Sequence, residues 1–329
     1  MSTNDASMTA AAPGGIGNFG PGLDVLGCAV TGARDEVTVR WASDEGVVIL
    51  DAGHPRLPTD PMKNTAAIAA SAVMHMALAK GCRVADRGIA ISIRKGLPLS
   101  GGLGGSAASA VAGAFATDAL IGASNLHSRS AGRIGVLSVN ELLECALAGE
   151  SAVAGRHLDN IAPSLLGGII LVRSLDPIDV VRIPVPKGLR IVLATPSHEL
   201  TTTVARGVLP TVVPREIVIH QMAQVASIIA ACHSGDLALL GRAIDDRIAE
   251  PARLPLLPGF QQAKSAALDA GALGASISGA GPTAFALCDS AAIATRVAQS
   301  MQSAYLRCGL ESAVRECEVD VCGARVMRA

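Results

Sequence analysis

Residues 97–109 read Leu97-Pro98-Leu99-Ser100-Gly101-Gly102-Leu103-Gly104-Gly105-Ser106-Ala107-Ala108-Ser109. Four glycines fall within five residues, so backbone N–H groups stand there that no side chain shields. The apolar pattern Ala110, Val111, Ala114, Phe115, Leu120 follows and predicts a closely packed, alanine-rich helix. A helix opening near Ser106 aims its unpaired amides and its positive dipole end back into the glycines. That makes an anion site without a cationic side chain. The loop is expected to hold the phosphates of a nucleotide. It lacks the Gly-Lys-Ser/Thr ending of a P-loop, and Lys95 stands before the glycines instead of after them, which argues against a Walker-type NTPase. A glycine-rich turn between two close backbones is the plainer reading of the same residues.

Composition narrows what surrounds this loop. A chain of 329 residues suggests about two domains and an ample core. Half the residues are apolar and 17% are charged, so the chain is not disordered. A net charge of −1 and six aromatic residues offer neither the electrostatic footprint nor the stacking platform of a nucleic-acid binder. No run approaches the roughly 18 uninterrupted apolar residues of a membrane span. Met1 to Ala12 carries Asp5 and no basic residue before a long apolar core, so no secretory signal is expected and the protein reads as cytoplasmic. Eight cysteines stand singly with no Cys-x-x-Cys, the pattern of small buried hydrophobes in a reducing compartment.

Ahead of the loop, Ala10 to Gly27 is glycine-dense and is expected to be a loop. Gly15-Ile16-Gly17-Asn18-Phe19-Gly20 formally matches the dinucleotide fingerprint, and so does Gly102 to Ala107. The first match is read as a decoy, because Pro21 and Gly22 follow where a helix should open. Strands are expected at 37–41, 47–50 and 89–93, and a helix over 64–80. A capping box at Ser138-Val139-Asn140-Glu141 starts a helix that runs to about Gly149. Beyond a strand at 167–172, strands are expected at 180–183, 190–194, 275–278, 283–288 and 313–321. Helices are expected at 199–209, 215–234, 236–249, 260–270 and 291–306. The irregular mixture predicts α+β layers, with the division between domains at 168/169.

The chemistry-bearing residues are few. Ser106 at the helix start is placed either to cap the helix or to ligate a magnesium on phosphates. Ser109 reads as a first-turn residue. Glu150 ends a helix and opens the polar stretch that holds His157, Asp159 and Asn160, which reads as a lined cleft or as a hydrogen-bonded turn. Arg206 and Arg253 are the residue type that would grip a substrate carboxylate bidentately, though most arginines only face solvent. Ser278-Gly279-Ala280-Gly281-Pro282 is either a hairpin turn or a backbone wall pressed against the first glycine loop.

Taken in order, these stretches resemble the homoserine kinases of the GHMP superfamily, which also holds galactokinase and mevalonate kinase. Asn18-Phe-Gly-Pro-Gly-Leu-Asp24-Val-Leu-Gly27 looks like the first superfamily motif, Pro98 to Ser109 like the second and Ile277 to Pro282 like the third. His157 to Pro163 and Ala249 to Arg253 look like features of homoserine kinases alone. The resemblance implies an N-terminal ribosomal-S5-domain-2-like domain over 1–168, carrying the phosphate loop, and a ferredoxin-like α/β-sandwich domain over 169–329. It implies ATP and L-homoserine as substrates, Mg²⁺ held by Ser106 and Glu150, and a homodimer. By the same likeness Asn64 sits by the adenine, and Pro98, Leu99, Ser100, Gly101, Gly102, Leu103, Gly104, Gly105, Ser106, Ala107 and Ser109 bind ATP. Asn18, Asp24, His157, Asp159 and Asn160 line the homoserine site, with Arg206 and Arg253 on its carboxylate. Homoserine kinases look as if they lack a catalytic base, unlike mevalonate-type relatives. The chain departs from the family at Gly105, where the loop usually carries a serine. The competing readings are a mevalonate-type kinase, a non-catalytic ligand-binding relative and, on the two fingerprint matches, a nicotinamide dehydrogenase.

Overall fold

The glycine-dense stretch before Leu26 is a strand for most of its length. The computed structural model describes residues 6–84, 87–125 and 134–327, and in it Ser7–Gly17 forms β1. No alternation of apolar and polar residues announces this strand, because every residue from Ala10 to Gly17 is buried, on both faces. Asn18 to Val25 then turn into β2 (Leu26–Ala42), so no helix opens on Gly20 and the fingerprint match there has no dinucleotide geometry. The reading of Met1 to Ala12 falls partly on residues 1–5, which lie outside the described residues.

The chain continues through β3 (Val47–Asp51), α1 (Thr65–Ala79), β4 (Gly88–Arg94), α2 (Gly105–Ser124), α3 (Val139–Ser151), α4 (Ile161–Leu166), β5 (Ile169–Leu175) and β6 (Ile178–Ile183). The second half holds β7 (Arg190–Pro196), α5 (Thr202–Gly207), α6 (Arg215–Ser234), α7 (Leu237–Arg242) and α8 (Ala249–Arg253). It closes with α9 (Phe260–Asp269), β8 (Gly274–Ile277), β9 (Ala284–Cys288), α10 (Ala291–Arg307), β10 (Ser312–Cys317) and β11 (Arg325–Val326). The helix expected over 236–249 stops at Arg242, and a new one, α8, opens only at Ala249. Between them the Asp246 carboxylate accepts the amides of Ile248 (2.8 Å), Ala249 (3.0 Å) and Glu250 (2.9 Å), which caps α8 afresh. The last long strand stops at Cys317, and only a single bridge, Val30 to Val319, continues beyond it.

Two sheets result. The first orders β11-β1-β2-β4-β3, with β5 and β6 branching from the start of β2. Residues 169–183 and the C-terminal β11 therefore pair with the first sheet, although they follow residue 168. The second sheet orders β10-β7-β9-β8, all antiparallel. Its strands stand fourth, first, third, second, as in a ferredoxin-like βαββαβ unit. Alternation along β7 splits the core: Ile191 and Leu193 join the cluster shared with the first unit, and Val192 and Ala194 face α9 and α10. Helix α2 packs on α1, α3, β1 and β2, with Leu120 and Ile121 fully buried, each contributing roughly 1.5–3 kcal/mol. Both α2 and α6 have the length and apolar composition of a membrane span. The former is a core helix, while α6 leaves Val218, Ile219 and Met222 exposed.

The sheets are locked together where two glycine loops touch. Ser278 Oγ donates to the Gly102 carbonyl at 2.7 Å and Thr283 Oγ1 to the Gly101 carbonyl at 2.5 Å. Gly279 N–H donates to Gly17 O at 3.0 Å. Phe19, from the first turn, stacks on Phe285 of β9 with ring centroids 5.9 Å apart. Gly102 has φ +74°, and a Cβ there would lie 2.5 Å from the Gly281 carbonyl oxygen. Gly102→Ala combines a left-handed backbone with a backbone clash, so it should cost about 2–4 kcal/mol. The expected outcome is a denaturation midpoint, followed by circular dichroism, that falls with the slope unchanged; a wild-type midpoint would contradict the interlock.

Candidate active site

The interlocked loops form part of the wall of a cleft of about 530 Å³, lined from both units. Gly104, in the left-handed region, caps α2, and the first helical bond runs from Ala108 N–H to Gly104 O at 2.9 Å. The amides of Gly105, Ser106 and Ala107 are thus left over at the positive end of the helix. Pro98, Leu99, Ser100, Gly101, Gly102, Gly104, Gly105, Ser106 and Ser109 line the cleft. Leu103 and Ala107 are buried in the core instead, so only their backbones can serve a ligand. A Cβ on Gly105 would meet its neighbours at 3.5 Å with no positive φ, so a serine fits there sterically.

The capping box at Ser138 and Glu141 is formed, and α3 runs from it to place Glu150 in the last turn. Ser106 Oγ donates to Glu150 Oε1 at 2.9 Å, and Glu150 Oε2 is buried without a partner among the described residues. Burial pushes the Glu150 carboxyl above the usual carboxylate range, against the pull of the Ser106 hydrogen bond. An orphaned carboxylate oxygen beside a hydroxyl is an all-oxygen donor set that fits Mg²⁺.

Opposite lies the stretch 157–160. His157 Nε2 donates to Ala154 O at 3.0 Å, and its Nδ1 sits 3.1 Å from Asp159 Oδ1. Burial lowers the His157 imidazole, but Asp159 outweighs it and holds the ring above its ordinary value. Asp159 Oδ2 accepts the Asn18 amide at 3.0 Å, and Asn160 Oδ1 has no partner. This stretch lies directly on the first motif, since a Cβ on Gly27 would fall 1.6 Å from the Asp159 carbonyl oxygen.

Asp24, at φ 59°, receives Arg206 bidentately at 2.7 and 3.2 Å. Burial would raise the Asp24 carboxyl, yet the guanidinium holds it below the usual range. Arg206 Nε is buried and unpartnered. Ligand atoms of Asp24, His157 and Asp159 lie within 4.8 Å of one another, a corner suited to a cationic group. Arg253 is buried and uses Nε on Ala205 O (3.1 Å) and Nη1 on Gly279 O (2.8 Å), so it braces α5 against the third glycine loop. Asn18 is similarly committed, donating to Gly279 O at 3.2 Å and accepting from the Asp24 amide at 3.1 Å. Asn64 lines the cleft as the N-cap of α1, accepting the Ala66 amide at 3.1 Å. Arg56 and Glu199, paired at 2.9 Å, and Thr201 to Thr203 also line the cleft, and no motif marks them.

A family model described as the GHMP kinases N terminal domain matches residues 64–168, and one described as GHMP kinases C terminal matches residues 228–307. A homoserine kinase from Chloroherpeton thalassium is 39% identical over 331 residues, covering 97% of this chain and 99% of the relative. One from Arabidopsis thaliana is 39% identical and covers 98% and 85%. The crystal structure of homoserine kinase from Cytophaga hutchinsonii superposes with a TM-score of 0.88 at 39% identity, over 98% of this chain and 97% of that one. L. major mevalonate kinase, at 16% identity, TM-score 0.70 and coverage of 97% and 99%, shares the fold.

Proposed function

The chain belongs to the GHMP kinases and, among them, to the homoserine kinases, and from that premise we propose how its cleft carries the reaction. ATP and L-homoserine give ADP and O-phospho-L-homoserine, a step towards threonine. The phosphates lie against the amides of Gly105, Ser106 and Ala107. Ser106 and Glu150 would hold Mg²⁺, which would supply neutralisation of the phosphate charge. The adenine lies by Asn64. The observation that carries this reading is the set of buried polar atoms that, among the described residues, lack a partner in one cleft: Glu150 Oε2, Asn160 Oδ1 and Arg206 Nε. Buried polar groups go unpaired only at cost, and a metal-bound nucleotide together with an amino acid would supply what these three lack.

The substrate's charges have counterparts here. Its carboxylate goes to Arg206, with Arg253 behind it, and its ammonium to the corner of Asp24 and Asp159. His157 and Asn160 line the space between this corner and the phosphates. The acceptor oxygen attacks the γ-phosphorus as the bond to the bridging oxygen of ADP breaks, and the hydroxyl proton leaves to solvent. No side chain is assigned as catalytic base. Alignment and charge stabilisation carry phosphoryl transfer. The proposal includes a homodimer in the cytoplasm or another reducing compartment, a setting that suits eight free cysteines, six of them buried.

The test is homoserine-dependent ADP release with Mg-ATP. Wild type should show it well above the homoserine-free background, and Glu150→Gln should lose turnover by about 10²-fold or more while keeping its circular dichroism. An unchanged rate in that variant would sink the metal assignment. The raised carboxyl of Glu150 adds a pH signature. Protonation below that pKa removes a metal ligand, so activity falls as pH falls. Bound metal opposes the proton. The acid limb of kcat/KM for ATP should therefore shift to lower pH as Mg²⁺ is raised; a limb indifferent to Mg²⁺ would contradict the assignment.

A further inference from the structure

The sequence motifs pass over the most completely buried charge near the loop. Asp35 on β2 is 0% exposed, and the Lys95 side chain beside it, just past the end of β4, is 8% exposed. The Asp35 carboxylate pairs with Lys95 Nζ and accepts the amides of Gly96 at 3.0 Å and Leu97 at 3.2 Å. It also accepts the Ser109 hydroxyl at 2.7 Å. Lys95 Nζ donates in addition to the Gly105 carbonyl at 2.9 Å and to Ser109 Oγ at 2.9 Å.

These bonds have a geometric meaning. Gly96 and Leu97 are where the chain enters the glycine loop, and Gly105 and Ser109 are the first turn of α2, where it leaves. One carboxylate and its ammonium thus clamp both ends of the loop onto β2. The ammonium has three hydrogens and all three are engaged: by Asp35, by Gly105 O and by Ser109 Oγ. It is therefore committed to holding the loop, although it lines the cleft. A loop with four glycines would otherwise sample many backbone states, and freezing it at the moment of binding costs affinity.

We propose that Asp35 is the positioning residue of the phosphate loop. It acts through Lys95 and Ser109 to hold the amides of Gly105, Ser106 and Ala107 in place before ATP arrives. The inference rests on reading that loop as the phosphate site. It explains why Lys95 precedes the glycines: it is a clamp on the helix start, where a P-loop lysine would be a ligand of the phosphate.

Removing one charge alone leaves the other buried and unpaired, which unfolds proteins for reasons unrelated to ATP. The informative variant is the charge-neutral double, Asp35→Asn with Lys95→Met, alongside Ser109→Ala, which removes two hydrogen bonds and no charge. KM for Mg-ATP, KM for homoserine and kcat are measured on each, with folding followed by circular dichroism. KM for Mg-ATP should rise about tenfold in the double variant and about two- to fivefold in Ser109→Ala. KM for homoserine should stay within about twofold. A folded double variant with wild-type KM for Mg-ATP overturns the proposal, and so does an equal rise in both KM values. If the double variant does not fold, Ser109→Ala decides in the same way. Wild-type protein that binds no Mg-ATP would instead remove the phosphate-loop reading itself, and titration of the wild type distinguishes that failure.

Discussion

The contact on which the site depends is backbone against backbone. Gly101 and Gly102 offer carbonyls to Thr283 and Ser278, and the space between the loops admits no side chain at Gly102. Because that contact is closed, the third glycine loop serves as a shared anchor. The Gly279 carbonyl accepts both Asn18 Nδ2 and Arg253 Nη1, and the Gly279 amide reaches back to Gly17. The first turn, the end of the buried Arg253 side chain and the glycine loop at 101–102 are thus referred to one point. Rigid reference of this kind is what a reaction driven by alignment requires.

Around that point the electrostatics are arranged for exchange. Asp24 and Arg206 neutralise each other in the free protein, each partly exposed. A zwitterionic amino acid offers both a carboxylate and an ammonium, so it can take over each half of the pair and leave no charge buried alone. A purely anionic alcohol that took Arg206 would leave Asp24 unmatched, at the cost of a desolvated charge. Glu150 is the complementary case. Its second oxygen has no partner among the described residues, and burial keeps its carboxyl raised.

Much of this was legible in the sequence, because local chemistry and final structure agreed there. The capping box at Ser138 and the helix over 215–234 formed with the expected limits, and α2 opens one residue ahead of Ser106. The glycine loop at 278–282 proved to be both of the things its sequence allowed, the hairpin turn between β8 and β9 and a backbone wall against the loop at 101–102. β1 was not legible, since strand signals rest on alternation and its alanines and glycines are covered on both faces. The break in 236–249 was hidden because the capping group, Asp246, sits inside an otherwise helical pattern. Asp35 left no mark at all. An aspartate ahead of the alternating residues 37–41 reads as solvated, and only tertiary structure brings it under a loop 60 residues later.

The exchange of one internal ion pair for the two charges of a substrate is the central claim, and relative kcat/KM across acceptors tests it most directly. Mg-ATP is held saturating while L-homoserine, L-serine, L-threonine and mevalonate are compared as phosphoryl acceptors. The account predicts L-homoserine to lead, with mevalonate, which has a carboxylate and no ammonium, lower by about 10²-fold or more. Mevalonate turned over as well as homoserine would show that Asp24 and Arg206 do not read a zwitterion, and the account of the site would be wrong.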